Sequence, residues 1–244
     1  MKAICVIPAR LGSTRLERKV LREIAGRPML HYIWCAATSC SGLTDVIIAT
    51  DSEEVLEVCR KNKWQARLTS GAHASGTDRV WEVASGIPAD VYVNIQGDEP
   101  QARCEHIEAL LALMHNSAVE VATLKTPCAA HDVANPNAVK VVTDNSGRAL
   151  YFSRATVPFD RDGGSHPRYF KHLGFYAYRS PALKRFCSFP PGELERAERL
   201  EQLRFLEHEI PIHVAETAFD TIGVDTEADL QRVQALLEAP SQRY

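Results

Sequence analysis

Between Pro8 and Lys19 the chain reads PARLGSTRLERK, and Arg10, Arg15, Arg18 and Lys19 crowd into a loop that only Gly12 loosens. The loop follows an apolar run, KAICVI, that carries no charge after Lys2. Cations gathered at the end of a buried strand, interspersed with backbone N–H groups and the Ser13 and Thr14 hydroxyls, suit a polyphosphate. A solvated basic loop is the plainer alternative. The stretch is neither a P-loop nor a dinucleotide fingerprint, since GxxxxGK[ST] and GxGxxG are both absent.

A second group is acidic. Asp98 and Glu99 follow VYVNIQG directly, and Asp225 sits in GVDT. A carboxylate just past a buried strand can hold a divalent metal that bridges phosphate oxygens. Gly-Asp-Glu-Pro is also ordinary turn chemistry, and Asp225 stands where a helix cap belongs, a position for which Thr226 competes. Two acidic strand ends and one basic loop together point to metal-assisted phosphoryl or nucleotidyl transfer. In the polar loop SGAHASGTDR, His73, Ser75, Gly76, Thr77 and Arg79 offer short groups for reading a nucleobase; alternatively Ser75 or Thr77 simply caps the next helix. Arg154, His172, Tyr176, Glu201 and Gln202 are polar residues of an aromatic second half that could line a sugar pocket, but spacing alone does not select them. His31, on an apolar helix, reads as structural. No Ser/His/Asp arrangement and no Cys/His metal spacing stands out.

The elements that must position these groups are legible as a rhythm. KAICVI is a strand, PMLHYIWCAATS a helix with Pro28 in its first turn, DVIIAT a strand, and EEVLEVCRKN a helix capped by Asp51 or Ser52. A short run at 66–69 leads to the polar loop and a helix through Trp81. VYVNIQ is a strand, CEHIEALLALMHN a helix and VEVATL a strand. The repeated β-α-β-α order predicts an α/β fold with a mainly parallel, doubly wound sheet covered on both faces. Ligands of such sheets lie beyond the carboxyl ends of the strands, which gathers the basic loop, the polar loop and QGDEP onto one rim.

The second half changes character. AVKVVTDNSGRALYF reads as a hairpin turning at Asn145-Ser146-Gly147, and RYFKHLGFYAYR as a long aromatic strand. Helical patterns cover Ser180–Cys187 and Glu193–Glu207, IHVAE is a late strand, and Thr226 and Asp229 fit a capping box before LQRVQALLEA. With no clear linker, residues 1–244 read as one domain carrying an insertion at about 135–210.

Composition bounds the partners. Hydrophobic residues make up 45% of the 244, enough for a core without disulfide or metal staples. A net charge of −3 argues against wholesale phosphate-backbone binding, so the expected partner is a small anion and not nucleic acid. Seven cysteines without a CxxC pair, and no recognisable export signal, predict a reducing, cytoplasmic setting. No apolar run approaches the ~20 residues of a membrane span.

The order IPARLGSTRL with Lys19, AGRPML, VIIATD, HASGTDR, VNIQGDEP, NPNAVKVV, ALYFSRATVPFDRD, HLGFYAYR, LEQLR and GVDT closely resembles the 3-deoxy-manno-octulosonate cytidylyltransferases (CMP-Kdo synthetases), nearly end to end. Sialic-acid cytidylyltransferases share an IPAR-type opening without the full set. The resemblance implies a nucleotide-diphospho-sugar transferase-like fold and a reaction in which CTP and Kdo give CMP-Kdo and pyrophosphate, with magnesium, for lipopolysaccharide biosynthesis. It implies that Arg10, Ser13, Arg15 and Lys19 serve the triphosphate, and that Ser75, Gly76 and Thr77 lie near cytosine and ribose. Asp98 and Asp225 would hold Mg2+. Gln96, Arg154, His172, Tyr176, Glu201 and Gln202 would surround the sugar acid. It also implies a homodimer with the second-half insertion at the interface. One departure stands out. The family writes RLPGKPL where this chain reads RLERKVL, so Glu17 and Arg18 replace a Pro-Gly pair and Val20 a second proline. The loss of residues that fix unusual backbone angles leaves the aim of Lys19 to be set by other contacts.

Overall fold

The structure, a computed structural model, describes residues 1–12, 15–73, 75–163 and 167–238. The chain divides into two units, Met1–Glu108 with Thr221–Tyr244 and Ala109–Asp220. In the first, β1 (Ala3–Pro8) is buried at every position. It is followed by a two-residue hairpin, β2 (Glu23–Ile24) and β3 (Arg27–Pro28), and by α1 (Met29–Thr38). Next come β4 (Asp45–Thr50), α2 (Glu53–Asn62), β5 (Ala66–Leu68), α3 (Gly76–Gly86), β6 (Val91–Asn94) and α4 (Cys104–Met114), whose residues from Ala109 onward belong to the second unit. Its strands pair in the order β6-β1-β4-β5, all parallel. The chain therefore steps one way from β1 through β4 to β5, then returns to the other side of β1 for β6. That reversal makes a switch point between the carboxyl ends of β1 and β6.

Local chemistry explains the helix starts. The Ser52 side chain accepts from Val55 N at 3.4 Å and Glu53 and Glu54 lie in the first turn of α2, where negative charge suits the helix dipole. Ser75 and Asp78 form a reciprocal capping box at the head of α3. Pro28 is the cap of α1, just outside its first turn, one position earlier than the sequence pattern suggests.

The second unit holds β7 (Val121–Pro127), β8 (Lys140–Thr143), β9 (Ala149–Ser153), β10 (Phe170–Tyr178), α5 (Ser180–Ser188), α6 (Glu193–Glu198), α7 (Leu203–Glu207) and β11 (Ile212–Glu216). β11 pairs parallel with β7; β7 with β10, β10 with β8, and β8 with β9 are antiparallel. The β8–β9 hairpin turns where expected, with Gly147 at φ 81°. The helical pattern over Glu193–Glu207 is two helices, because Arg199 takes a left-handed conformation (φ 54°) that ends α6. The chain then returns to the first unit with α8 (Glu227–Glu238). Thr226 and Asp229 cap it reciprocally as the sequence predicts. Among the described residues no helix is long and apolar enough to cross a membrane.

The altered loop keeps an unusual turn. Arg18 sits at φ 54°, ψ 31°, left-handed, at the position where the family pattern has glycine. Such a backbone costs an L-residue roughly 1–2 kcal/mol. Contacts that hold it are the Arg18 ion pair with Glu54 and the short 3-10 turn Lys19–Leu21, in which Val20 is buried. Arg18→Gly is expected to keep stability within about 1 kcal/mol of the parent, while Arg18→Val lowers it by about 1–2 kcal/mol. Denaturant unfolding checks this; equal stability of the two variants would contradict the strained turn.

Candidate active site

The switch point carries the chemistry. A cavity of about 320 Å³ at this rim is lined by Arg10, Arg15 and Lys19 from the basic loop, Ser75 and Gly76 from the polar loop, and Gln96, Asp98 and Asp225. Close backbone approach forms its floor. Gly97 N donates to Pro8 O at 3.1 Å, and a Cβ at Gly97 would lie 2.7 Å from that oxygen and 3.1 Å from Val20 Cγ1. Only glycine lets the chain just beyond β6 pass so near the end of β1. Gly97 is a positioning residue that the motif reading did not single out. Its signal was a glycine directly after a buried strand and before an aspartate.

Asp98 and Asp225, far apart in sequence, meet here. Val224 N donates to Asp98 O at 2.9 Å, which ties the two segments through the backbone. Thr226 takes the cap of α8, so the Asp225 carboxylate is released from that task. Lys19 Nζ then donates to Asp98 Oδ2 at 2.5 Å and to Asp225 Oδ1 at 2.9 Å, with its side chain only 13% exposed. Arg15 adds a contact to Asp225 Oδ2 at 3.1 Å, and Arg22 donates to both oxygens of Glu227 on α8 at 2.9 and 2.8 Å. Burial alone would lower the Lys19 pKa; the two facing carboxylates outweigh it and raise the value above the ordinary lysine range. Lys19 is therefore an ammonium shared between two acids. Two carboxylates that converge on one cation supply the hard oxygen donors that suit Mg2+. Arg10 is exposed at the rim. Glu17 is exposed too; Arg18 pairs with Glu54 and Arg22 with Glu227. Ser13 lies outside the described residues.

The polar loop builds another wall. A Cβ at Gly76 would stand 3.0 Å from Gln96 Oε1, so the glutamine side chain lies directly against the start of α3, and it donates to Asn94 Oδ1 at 3.1 Å. Thr77 is buried in the first turn of α3 and does not line the cavity. Arg79 does line it, although 3% exposed, and is held by Asp51 at 2.8 Å and by Thr69. His73 lines it as well and pairs with Glu82.

Five predicted sugar-pocket residues belong to the second unit. His172 and Tyr176 converge because the β10–β7 ladder is irregular between Leu173 and Tyr176. Tyr176 Oη and Thr123 Oγ1 each lie 3.0 Å from His172 Nε2, and Thr123 also donates to Phe175 O at 2.8 Å. Burial pushes the His172 pKa down to about 3, so the ring is neutral near pH 7. Tyr176 is raised by burial, by Tyr178 and by Glu201, which places Glu201 in the same neighbourhood. Arg154 is committed elsewhere: its guanidinium donates to Glu198 O at 2.7 Å, Pro136 O at 2.9 Å and Arg199 O at 3.4 Å. Gln202 is buried at the start of α7.

Comparison with known proteins decides the family. Cytidylyltransferase, as a family, matches residues 4–213. The 3-deoxy-manno-octulosonate cytidylyltransferase of Koribacter versatilis is 64% identical over 98% of this chain and 91% of that protein. That of Acidobacterium capsulatum is 58% identical over 97% of each. The chain belongs to the 3-deoxy-manno-octulosonate cytidylyltransferase family. A solved CMP:2-keto-3-deoxy-manno-octonic acid synthetase complexed with CTP superposes with a TM-score of 0.93 at 42% identity, covering 97% of this chain and 98% of that one. A cytidylyltransferase of Leptospira borgpetersenii, at 16% identity and a TM-score of 0.66, shares the fold alone.

The close backbone approach yields a test. Gly97→Ala forces a methyl against a carbonyl oxygen and displaces Asp98. Expected are a stability loss of about 1–3 kcal/mol in thermal unfolding and lower turnover, and parental values of both would refute the positioning role.

Proposed function

We propose that this chain transfers CMP from CTP to the anomeric hydroxyl of 3-deoxy-manno-octulosonate and releases pyrophosphate. The observation that carries the reading is the convergence of Arg10, Arg15 and Lys19 with Asp98 and Asp225 in one cavity at the β1/β6 switch point. Family membership and the CTP complex of a 42%-identical protein support it. The bond that forms joins the sugar hydroxyl oxygen to the α-phosphorus; the bond that breaks releases pyrophosphate; the hydroxyl proton leaves to solvent. Arg10, Arg15 and Lys19 neutralise the triphosphate and stabilise the departing pyrophosphate as charge moves onto it. Ser75 and Gly76, with Thr77 behind them, shape the nucleoside end. Gln96, in the wall of the cavity, is read as a contact of the sugar acid, and the resemblance assigns Arg154, His172, Tyr176, Glu201 and Gln202 of the second unit to the same substrate. Mg2+ held by Asp98 and Asp225 would supply charge neutralisation on the phosphates and acidify the attacking hydroxyl. A dedicated general base is unnecessary in this scheme, and orientation of the two substrates is the largest contribution of the chain itself. The working protein is a cytoplasmic homodimer in this reading, formed through the second-half insertion.

Pyrophosphate release from CTP, ATP, GTP or UTP with Kdo or a sialic acid, in the presence of magnesium, tests the reading. Turnover confined to CTP with Kdo is expected. Asp98→Asn should lower it by about 100-fold or more, ~2.7 kcal/mol of transition-state stabilisation, with the fold retained. Turnover with sialic acid but not Kdo, or a fully active Asp98→Asn, would overturn it.

A further inference from the structure

Away from the cavity, three potential metal ligands meet in the first unit. Cys40, just past the end of α1, is 3% exposed. Cys104 is the first residue of α4 and Glu108 stands one turn later on the same face, an i, i+4 spacing. The two sulfur atoms and a carboxylate oxygen of Glu108 all lie within 4.8 Å of one another. Burial grades from the buried Cys40 through the half-buried Cys104 to the exposed Glu108, so the cluster is closed on its inner side and open to solvent on its outer side.

We infer that Cys40, Cys104 and Glu108 form a site for a borderline divalent cation of the zinc class, distinct from the Asp98/Asp225 pair. The donor chemistry selects the cation. Thiolates favour zinc-class metals over magnesium, whereas the two aspartates offer only hard oxygens. The spacing fits: Zn–S bonds of ~2.3 Å and Zn–O bonds of ~2.0–2.2 Å put tetrahedral ligands ~3.5–3.8 Å apart. Rotation of the half-buried Cys104 and exposed Glu108 side chains closes the remaining gap. Solvent water completes the set on the open side. The Cys104 thiol is hydrogen-bonded to Cys40 and Glu108. Binding replaces thiol S–H bonds with metal–sulfur bonds, the protons passing to solvent. The cation would clamp the end of α1 to the start of α4, and α4 begins six residues after Asp98.

Cobalt(II) reads the site directly, because thiolate ligation gives a near-ultraviolet charge-transfer band that oxygen ligands do not. Chelator-treated, reduced full-length protein is expected to take up one cobalt per chain with that band, and zinc to abolish it. Cys104→Ser should lose the band, Glu108→Gln should weaken cobalt binding by about tenfold or more, and Cys35→Ser and Asp98→Asn should keep the parental signal. Glu108→Gln changes an exposed residue, so it reports on the site even if the cysteine variants fold poorly. Absence of the band from protein with verified free thiols, its persistence in Cys104→Ser, or unchanged affinity in Glu108→Gln would overturn the inference, as would formation of a Cys40–Cys104 disulfide in place of metal uptake.

Discussion

One ammonium between two carboxylates organises the catalytic end of this protein. Asp98 and Asp225 lie at the ends of separate segments, and like charges brought this close repel unless a cation stands between them. Lys19 supplies that cation at 2.5 and 2.9 Å. The surrounding backbone makes the meeting unavoidable. Gly97 slides past Pro8, Val224 hydrogen-bonds to the Asp98 carbonyl, and Thr226 takes over the helix cap that Asp225 would otherwise occupy. Each of these lies at the switch point that the order β6-β1-β4-β5 creates. The same topology therefore fixes the cavity and the charges that fill it.

The arrangement also gives the basic loop a double task. Its lysine neutralises two aspartates. In the proposed reaction it would serve the triphosphate and leave both carboxylates to a divalent cation. The altered sequence RLERKVL tolerates this because the turn survives the loss of its glycine. Arg18 adopts the left-handed conformation itself, Glu54 holds its guanidinium, and Val20 packs where the family pattern has proline.

Much of this was legible in the residues. Apolar runs alternating with capped helical patterns specified the parallel sheet, and the reciprocal Ser75/Asp78 and Thr226/Asp229 caps follow from a three-residue spacing that local hydrogen bonding enforces. The basic loop and both aspartates were visible as types and positions. What stayed hidden depends on contacts between distant segments. Sequence assigned Lys19 to phosphate, and its pairing with both aspartates needed the three backbones in place. The break at Arg199 was masked by a continuous helical pattern, since a left-handed arginine has no compositional signature. Convergence of His172 and Tyr176 rests on an irregularity in the β10 ladder, and the hold on Arg154 comes from three carbonyls that no side-chain pattern reveals.

If Lys19 occupies the place of a metal ion between the two aspartates, then removing its charge must open that place. The direct measurement is Mn2+ affinity of the nucleotide-free protein, read by electron paramagnetic resonance, for the parent and for Lys19→Met. Binding at least ~10-fold tighter in Lys19→Met, equivalent to ~1.4 kcal/mol, is the predicted result. Equal or weaker binding in that variant would contradict the shared-cation account.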